Sequence, residues 1–115
     1  MPTPPRFHLR VLLDDKAALG PGKADLLEGV RDTGSISGAG RRMRMSYRRA
    51  WQLIDALNAD FGAPVVETLT GGKGGGGAQL TPLGDEVLAR YRRIEAACAD
   101  AIAADVAALR KRLVR

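Results

Sequence analysis

The stretch GSISGAGRRMRMSYRRAWQLIDALNADFG, residues 34–62, decides the fold, because it carries the punctuation of two short helices joined by a tight turn. Ser35 is placed to cap a helix starting at Ile36, while Ala39 and Gly40 are small enough for a second helix to cross closely over the first. Ser46 offers its hydroxyl to the open N–H groups of that second helix. Ala50, Ile54, Leu57 and Phe61 recur at three- and four-residue steps and make its inward stripe, broadened by Leu53. The pattern predicts a helix-turn-helix.

The same stretch concentrates positive charge. Arg41, Arg42, Arg44, Arg48 and Arg49 fall within nine residues, and on adjacent helices they form one cationic surface suited to a phosphate backbone. With the apolar stripe turned inward, Tyr47, Arg48, Arg49, Gln52 and Asp55 lie on the outer side near the helix N-terminus, the part a recognition helix places in the major groove. Arginine suits the paired acceptors of guanine, and Gln52 suits adenine. Tyr47 brings a hydroxyl for phosphate and an apolar ring for a thymine methyl. Met43 and Met45 read as fillers under the turn, and Trp51, beside the stripe, as a packing residue at the helix edge. Arg44 sits where such a turn often bends with positive φ, at a cost of about 1 kcal/mol for a side chain.

Composition narrows the remaining classes. A chain of 115 residues, 45% apolar, has enough material for one domain with a modest core, and a net charge of +5 favours polyanionic partners. Cys98 is the single cysteine and His8 the single histidine, so neither an internal disulfide nor a cysteine/histidine zinc cluster can be built. A reducing, cytoplasmic setting and a protein without cofactor or metal are expected. The start, MPTPPRFHLR, lacks the apolar core of a secretion signal, and no apolar run approaches a membrane span. His8 without a second histidine or a cysteine cluster gives no catalytic triad. The glycine-rich run at Lys73 leads to a strand instead of the serine or threonine and helix of a phosphate-binding loop. No enzymatic activity is expected.

Outward from the central stretch, residues 1–5 read as a proline-rich loose tail. Residues 6–13 alternate as a half-buried strand, with Phe7, Leu9, Val11 and Leu13 on one side. Asp14 to Lys16 make a turn, and residues 17–19 return as a short strand. Pro21 opens a supporting helix whose stripe is Leu26, Leu27 and Val30 and which closes at Thr33 and Gly34. After Gly62, Pro64 stops the recognition helix. Residues 65–69, a glycine tip and residues 78–81 then make a wing whose Lys73, Gly74 and Gly75 reach sugar and phosphate. Thr81 and Pro82 start a last helix of about 30 residues, about 45 Å long. Its stripe, Val87, Tyr91, Ile94, Cys98, Ile102, Val106 and Leu109, is longer than a small domain covers and predicts pairing with a second copy.

Together TGSIS, MSYRRAW and TGGKGGGGAQLTPLG resemble the N-terminal DNA-binding region of the molybdate-dependent transcriptional regulators of the ModE type. The order of elements is similar to the winged helix-turn-helix of LysR-type regulators. The likeness covers about residues 7–95, and its glycine-rich piece is the most discriminating. It implies DNA contact at Ser46, Tyr47, Arg48 and Arg49 and at the wing around Lys73. Regulators of that kind join the winged region to C-terminal oxyanion-binding domains; this chain stops at the linker-like helix, so molybdate binding is not expected of it.

The expectation is therefore a mainly α protein with a small β wing: a tail at 1–5, a winged helix-turn-helix at 6–81 and a dimerisation helix at 82–115. Its expected partner is double-stranded DNA, bound by a homodimer on a palindromic operator. The alternative is an interaction subunit that pairs with a full-length related regulator.

Overall fold

The structure is a computed structural model that describes residues 3–70 and 77–115. Its elements run β1 (Val11–Leu12), β2 (Ala18–Leu19), α1 (Pro21–Thr33), α2 (Ile36–Arg42), α3 (Tyr47–Phe61), β3 (Val66–Leu69), β4 (Gly77–Leu80) and α4 (Pro82–Arg110). This is a winged helix-turn-helix with a long C-terminal helix.

Local chemistry sets most boundaries. Pro21 fills the first turn of α1, where its missing N–H costs nothing, and Gly34 ends the helix at φ 72° with its N–H on the Val30 carbonyl. Ser35 Oγ accepts from the Gly38 amide at 2.8 Å and Ser46 Oγ from the Arg49 amide at 3.0 Å, so both helices of the central pair start on serine caps. Between them Arg44 takes φ 56°, the left-handed bend expected there. Thr81 Oγ1 accepts from the Gly84 amide at 3.1 Å to cap α4 and donates to the Pro64 carbonyl at 2.7 Å, tying the start of α4 to the exit of α3.

The core is one cluster in which α1, α2 and α3 meet the wing and the first turns of α4. Leu26, Leu27, Val30, Ala39, Ala50, Ile54, Leu57 and Val65 are fully or almost fully buried, and Met43, Met45, Trp51, Leu53 and Phe61 pack against them half-buried. Strands β3 and β4 pair antiparallel with Val66 opposite Leu80 and Leu69 opposite Gly77. The Ala78 amide donates to the Gly34 carbonyl at 2.9 Å, which docks the wing on the α1–α2 corner.

Three expectations change. The alternating run 6–13 is extended with Phe7, Leu9 and Val11 half-buried, but Leu13 is exposed and only Val11–Leu12 is hydrogen-bonded as strand, paired with Ala18–Leu19. Alternation reports a half-covered backbone, and a ladder needs a partner strand that exists only for two residues. Thr3 to Pro5, expected to be loose, lie along α4, where Arg110 donates to the carbonyls of Thr3 at 2.8 Å and Pro4 at 3.4 Å. Val87 and Tyr91, expected on a dimer face, belong to the core of the single chain: Tyr91 is fully buried and its hydroxyl donates to the Leu9 carbonyl at 2.6 Å. Helical period identifies a face without saying what covers it.

Beyond Tyr91 the helix leaves the body. Its 29 residues span ~43 Å, against overall dimensions of 56 × 31 × 22 Å. Arg92 braces the point of departure, bonding Asp25 at 2.7 Å and Glu95 at 2.8 Å and lying 3.5 Å from Glu28. Partial burial disfavours this cation, yet the bonds to Asp25 and Glu95 outweigh it and hold the guanidinium protonated even more firmly than usual.

Candidate nucleic-acid interface

Two serine-capped helix starts and the wing converge on one face. Ser35, Ser37, Tyr47, Thr68 and Leu69 surround a notch of about 260 Å³ between the beginnings of α2 and α3 and the two wing strands. Four hydroxyls therefore meet at an edge where the open N–H groups of two helices also point outward. Tyr47 is 56% exposed and leans edge-on against Trp51, with ring centroids 6.3 Å apart, so packing fixes the direction of an otherwise free aromatic ring.

Arg48, Arg49 and Gln52 are exposed on the first turns of α3 beside Tyr47, while Ala50, Ile54 and Leu57 hold the opposite face in the core. The Ser46 cap matters here because it orders the turn that carries both arginines. Arg49 also borders a second cleft, of about 360 Å³, whose walls include Arg10 and Lys23. The cationic surface thus continues past α3 toward the start of α1. Lys23 is partly committed there, donating to the Ala18 carbonyl at 3.0 Å and lying 3.8 Å from the Asp60 carboxylate.

The arginines of α2 and the turn are less uniform. Arg41 and Arg44 are exposed. Arg42 instead bonds Asp32 at 2.9 Å, and Asp32 also accepts from Arg31 at 3.0 Å. The hydrogen bond from Arg42, reinforced by that from Arg31, holds the Asp32 carboxyl below the usual carboxylate range. Of the five arginines expected to form one phosphate-binding surface, Arg42 is thereby tied to the end of α1, while Arg48 and Arg49 directly follow Tyr47, which lines the notch. Lys73, Gly74 and Gly75 lie outside the described residues.

Sequence reasoning missed Ser37, Thr68, Leu69, Arg10 and Lys23. Ser37 follows the Ser35 cap by two residues and was legible as a neighbour of an open helix end. Thr68 and Leu69 join the site only through the pairing of β3 with β4, and Arg10 and Lys23 only because the segment before β1 and the start of α1 line one cleft with Arg49 of α3.

On α4, the stripe left after Val87 and Tyr91 go to the core is Ile94, Cys98, Ile102, Val106 and Leu109. Ile94 is 38% and Leu109 68% exposed, and the residues between them are half-buried. Among the described residues, no three histidine, cysteine or acidic side chains converge on a metal-sized site, and no helix is long and apolar enough to cross a membrane.

Comparison with known proteins agrees with this geometry. A family described as "Bacterial regulatory helix-turn-helix protein, lysR family" matches residues 23–85, from the first turn of α1 to the first turn of α4. The chain is 46% identical over 83 residues to the molybdenum-pterin-binding protein MopB of Rhodobacter capsulatus, covering 72% of this chain and 31% of MopB. It is 39% identical over 95 residues to the molybdenum transport protein ModE of Azotobacter vinelandii, covering 81% and 35%. Against the DNA-binding transcriptional dual regulator ModE of Escherichia coli K12, identity is 37% over 83 residues, covering 72% and 32%. The chain thus spans about a third of the length of these relatives. Among solved structures, a CbnR_DBD–DNA complex shares the fold, with a TM-score of 0.60 and 24% identity over 76% of this chain and 95% of that one.

Proposed function

The chain belongs to the lysR family of bacterial regulatory helix-turn-helix proteins, and from that premise we propose that it is a ModE-type transcriptional regulator binding double-stranded DNA as a homodimer on a palindromic operator. One observation carries this reading: Tyr47, Arg48 and Arg49 project from a serine-capped helix start beside a notch ringed by the hydroxyls of Ser35, Ser37 and Thr68. The first turn of α3 enters the major groove, where Arg48, Arg49 and Gln52 meet base edges. The hydroxyls and the open amides of α2 and α3 take the flanking phosphates, and Arg41, Arg44 and the wing, with Lys73, add charge along the backbone.

The stripe from Ile94 to Leu109 supports the dimer, since its ends, Ile94 and Leu109, are exposed and Cys98, Ile102 and Val106 between them are only half-buried, which leaves an apolar face of a projecting helix open to a partner. Their spacing, four and three residues, averages close to the eleven-residue repeat that gives nearly straight or slightly right-handed helix pairs.

The test is binding of the purified protein to promoter fragments, those of molybdenum-related genes first, in competition with random duplex at physiological salt. A preference of at least about a thousandfold is expected of a specific regulator. Equal affinity for both would reduce the protein to a non-specific DNA binder, and a monomer at all concentrations in sedimentation would remove the palindrome.

A further inference from the structure

The helix α3 has two flanks. Each residue turns about 100° around the helix axis, so Tyr47 and Arg49 stand about 200° apart. Ala50, Ile54 and Leu57 hold the core side between them, and Arg48 and Gln52 lie exposed on the side away from it. Tyr47 borders the notch with Ser35, Ser37 and Thr68. Arg49 and Leu53 border the cleft of about 360 Å³ on the opposite flank, together with Arg10 and Lys23. Three cations and no carboxylate line that cleft. The Arg10 stem lies over the start of α1, since a methyl on Gly20 would stand 3.7 Å from its Cγ. Arg10 and Arg49 are exposed and form no ion pair among the described residues, whereas Lys23 shares its ammonium with the Ala18 carbonyl at 3.0 Å and the Asp60 carboxylate at 3.8 Å. Arg6 and His8, earlier on the same segment, line a different cleft that also holds Asp25 and Glu95, so the cationic line without acidic neighbours ends at Arg10.

We propose that Arg10 and Lys23 hold the DNA backbone on the side of the groove opposite the one held at the notch. This rests on the DNA-binding reading above and adds contacts from outside both the helix-turn-helix and the wing. A helix about 10–12 Å across nearly fills a major groove about 12 Å wide, so a sugar-phosphate backbone passes along each of its flanks. At the notch, hydroxyls and open helix amides take one backbone. Along the other flank, two long cationic side chains from separate elements, the segment before β1 and the first turn of α1, take the second. Holding both backbones fixes how far α3 is rolled about its own axis, and so which bases Arg48 and Gln52 meet. Arg10 and Lys23 thereby position the reading head without reading sequence themselves.

The experiment measures the salt dependence of binding to random duplex and to the preferred promoter fragment for the full chain, Arg10→Gln, and Arg10→Gln/Lys23→Gln. The slope of log affinity against log salt is expected to flatten by about 0.9 in the single variant and by about twice that in the double one, equally on both duplexes. Arg112→Gln/Arg115→Gln removes the same charge from the end of the chain beyond α4 and is expected to keep the parent slope. Circular dichroism on heating checks the fold; Arg10→Gln breaks no ion pair and carries the test by itself if loss of the Lys23 bonds weakens the double variant. A parent that binds neither duplex removes the DNA-binding reading itself. A parent that binds, with an Arg10→Gln slope equal to its own or with an equal flattening in Arg112→Gln/Arg115→Gln, overturns only the second-flank contact. Ethylation interference on the promoter fragment is expected to mark phosphates on both strands around each α3, with Arg10→Gln losing sensitivity on one strand and Ser37→Ala on the other. Loss on the same strand in both variants also overturns the inference.

Discussion

Replacing Ser46 by alanine tests whether the reading head depends on how its helix begins. The hydroxyl accepts from the Arg49 amide at 3.0 Å, and the next three residues are Tyr47, Arg48 and Arg49. Loss of such a cap costs about 1 kcal/mol, within a range of about 0.5–2. Because the first turn of α3 has few core contacts before Ala50, most of that cost is met by fraying of this turn alone. DNA must then reorder it, so affinity is expected to fall about fivefold for operator and random duplex alike. Ser46→Gly separates capping from direct contact. Glycine costs only a few tenths of a kcal/mol at this position yet offers no hydroxyl. If the cap is the whole effect, Ser46→Gly recovers most of both stability and affinity; if the hydroxyl also touches phosphate, stability returns and affinity does not. Urea denaturation and fluorescence anisotropy at several salt concentrations provide the two readouts. A Ser46→Ala protein that unfolds and binds like the parent would falsify the coupling of cap to site.

Gly84→Ala is expected to destabilise by about 1–3 kcal/mol, read by urea denaturation, because the added methyl overlaps the Val65 carbonyl and stands 3.4 Å from Leu80 Cβ. Gly22→Ala, with nothing within 4 Å of its new methyl, is the control and is expected to be neutral or stabilising. Arg42→Ala is expected to leave the salt dependence of DNA binding nearly unchanged, since Asp32 holds that guanidinium, whereas Arg48→Ala lowers the slope by about one or relaxes base preference. For Tyr91, burial and then the nearby Glu95 carboxylate raise the phenol above its usual 10.0. The unfolded chain therefore loses this proton first, so the contribution of Tyr91 is complete below pH 10.0 and is lost as pH climbs through the raised value. Near-ultraviolet phenolate absorbance followed alongside unfolding checks the order of events, and Tyr91→Phe, which also loses the bond to Leu9, removes the alkaline step at a cost of about 1 kcal/mol.

The helix starts were legible because capping is a contract between neighbours: Ser35, Ser46 and Thr81 bond amides three residues on, and Gly34 and Gly62 supply the left-handed ends. The face carrying Tyr47, Arg48, Arg49 and Gln52 was legible for the same reason, being the complement of a helical stripe. What sequence could not give was contact between distant residues. Arg42 finds Asp32 across the α1–α2 corner, Arg110 finds Thr3 from the opposite end of the chain, and Tyr91 reaches back to Leu9. Each removed a residue from the role its local pattern suggested. The Thr68 contribution to the notch has the same origin, since strand pairing places it beside α2 and α3.

The Thr81 hydroxyl, shared between the Pro64 carbonyl and the Gly84 amide, anchors the start of the long helix on the reading head, and with the Arg92 brace it helps set the angle at which that helix leaves. A tilt of only about 5° at that point moves the far end of a ~43 Å helix by about 4 Å, close to one base-pair step along the duplex. A single hydroxyl, donor on one side and acceptor on the other, thus works as a protractor. In the dimer proposed above it rations how far apart two operator arms can stand before the protein must bend to reach both, and drift at this corner would retune arm spacing while leaving every base contact alone.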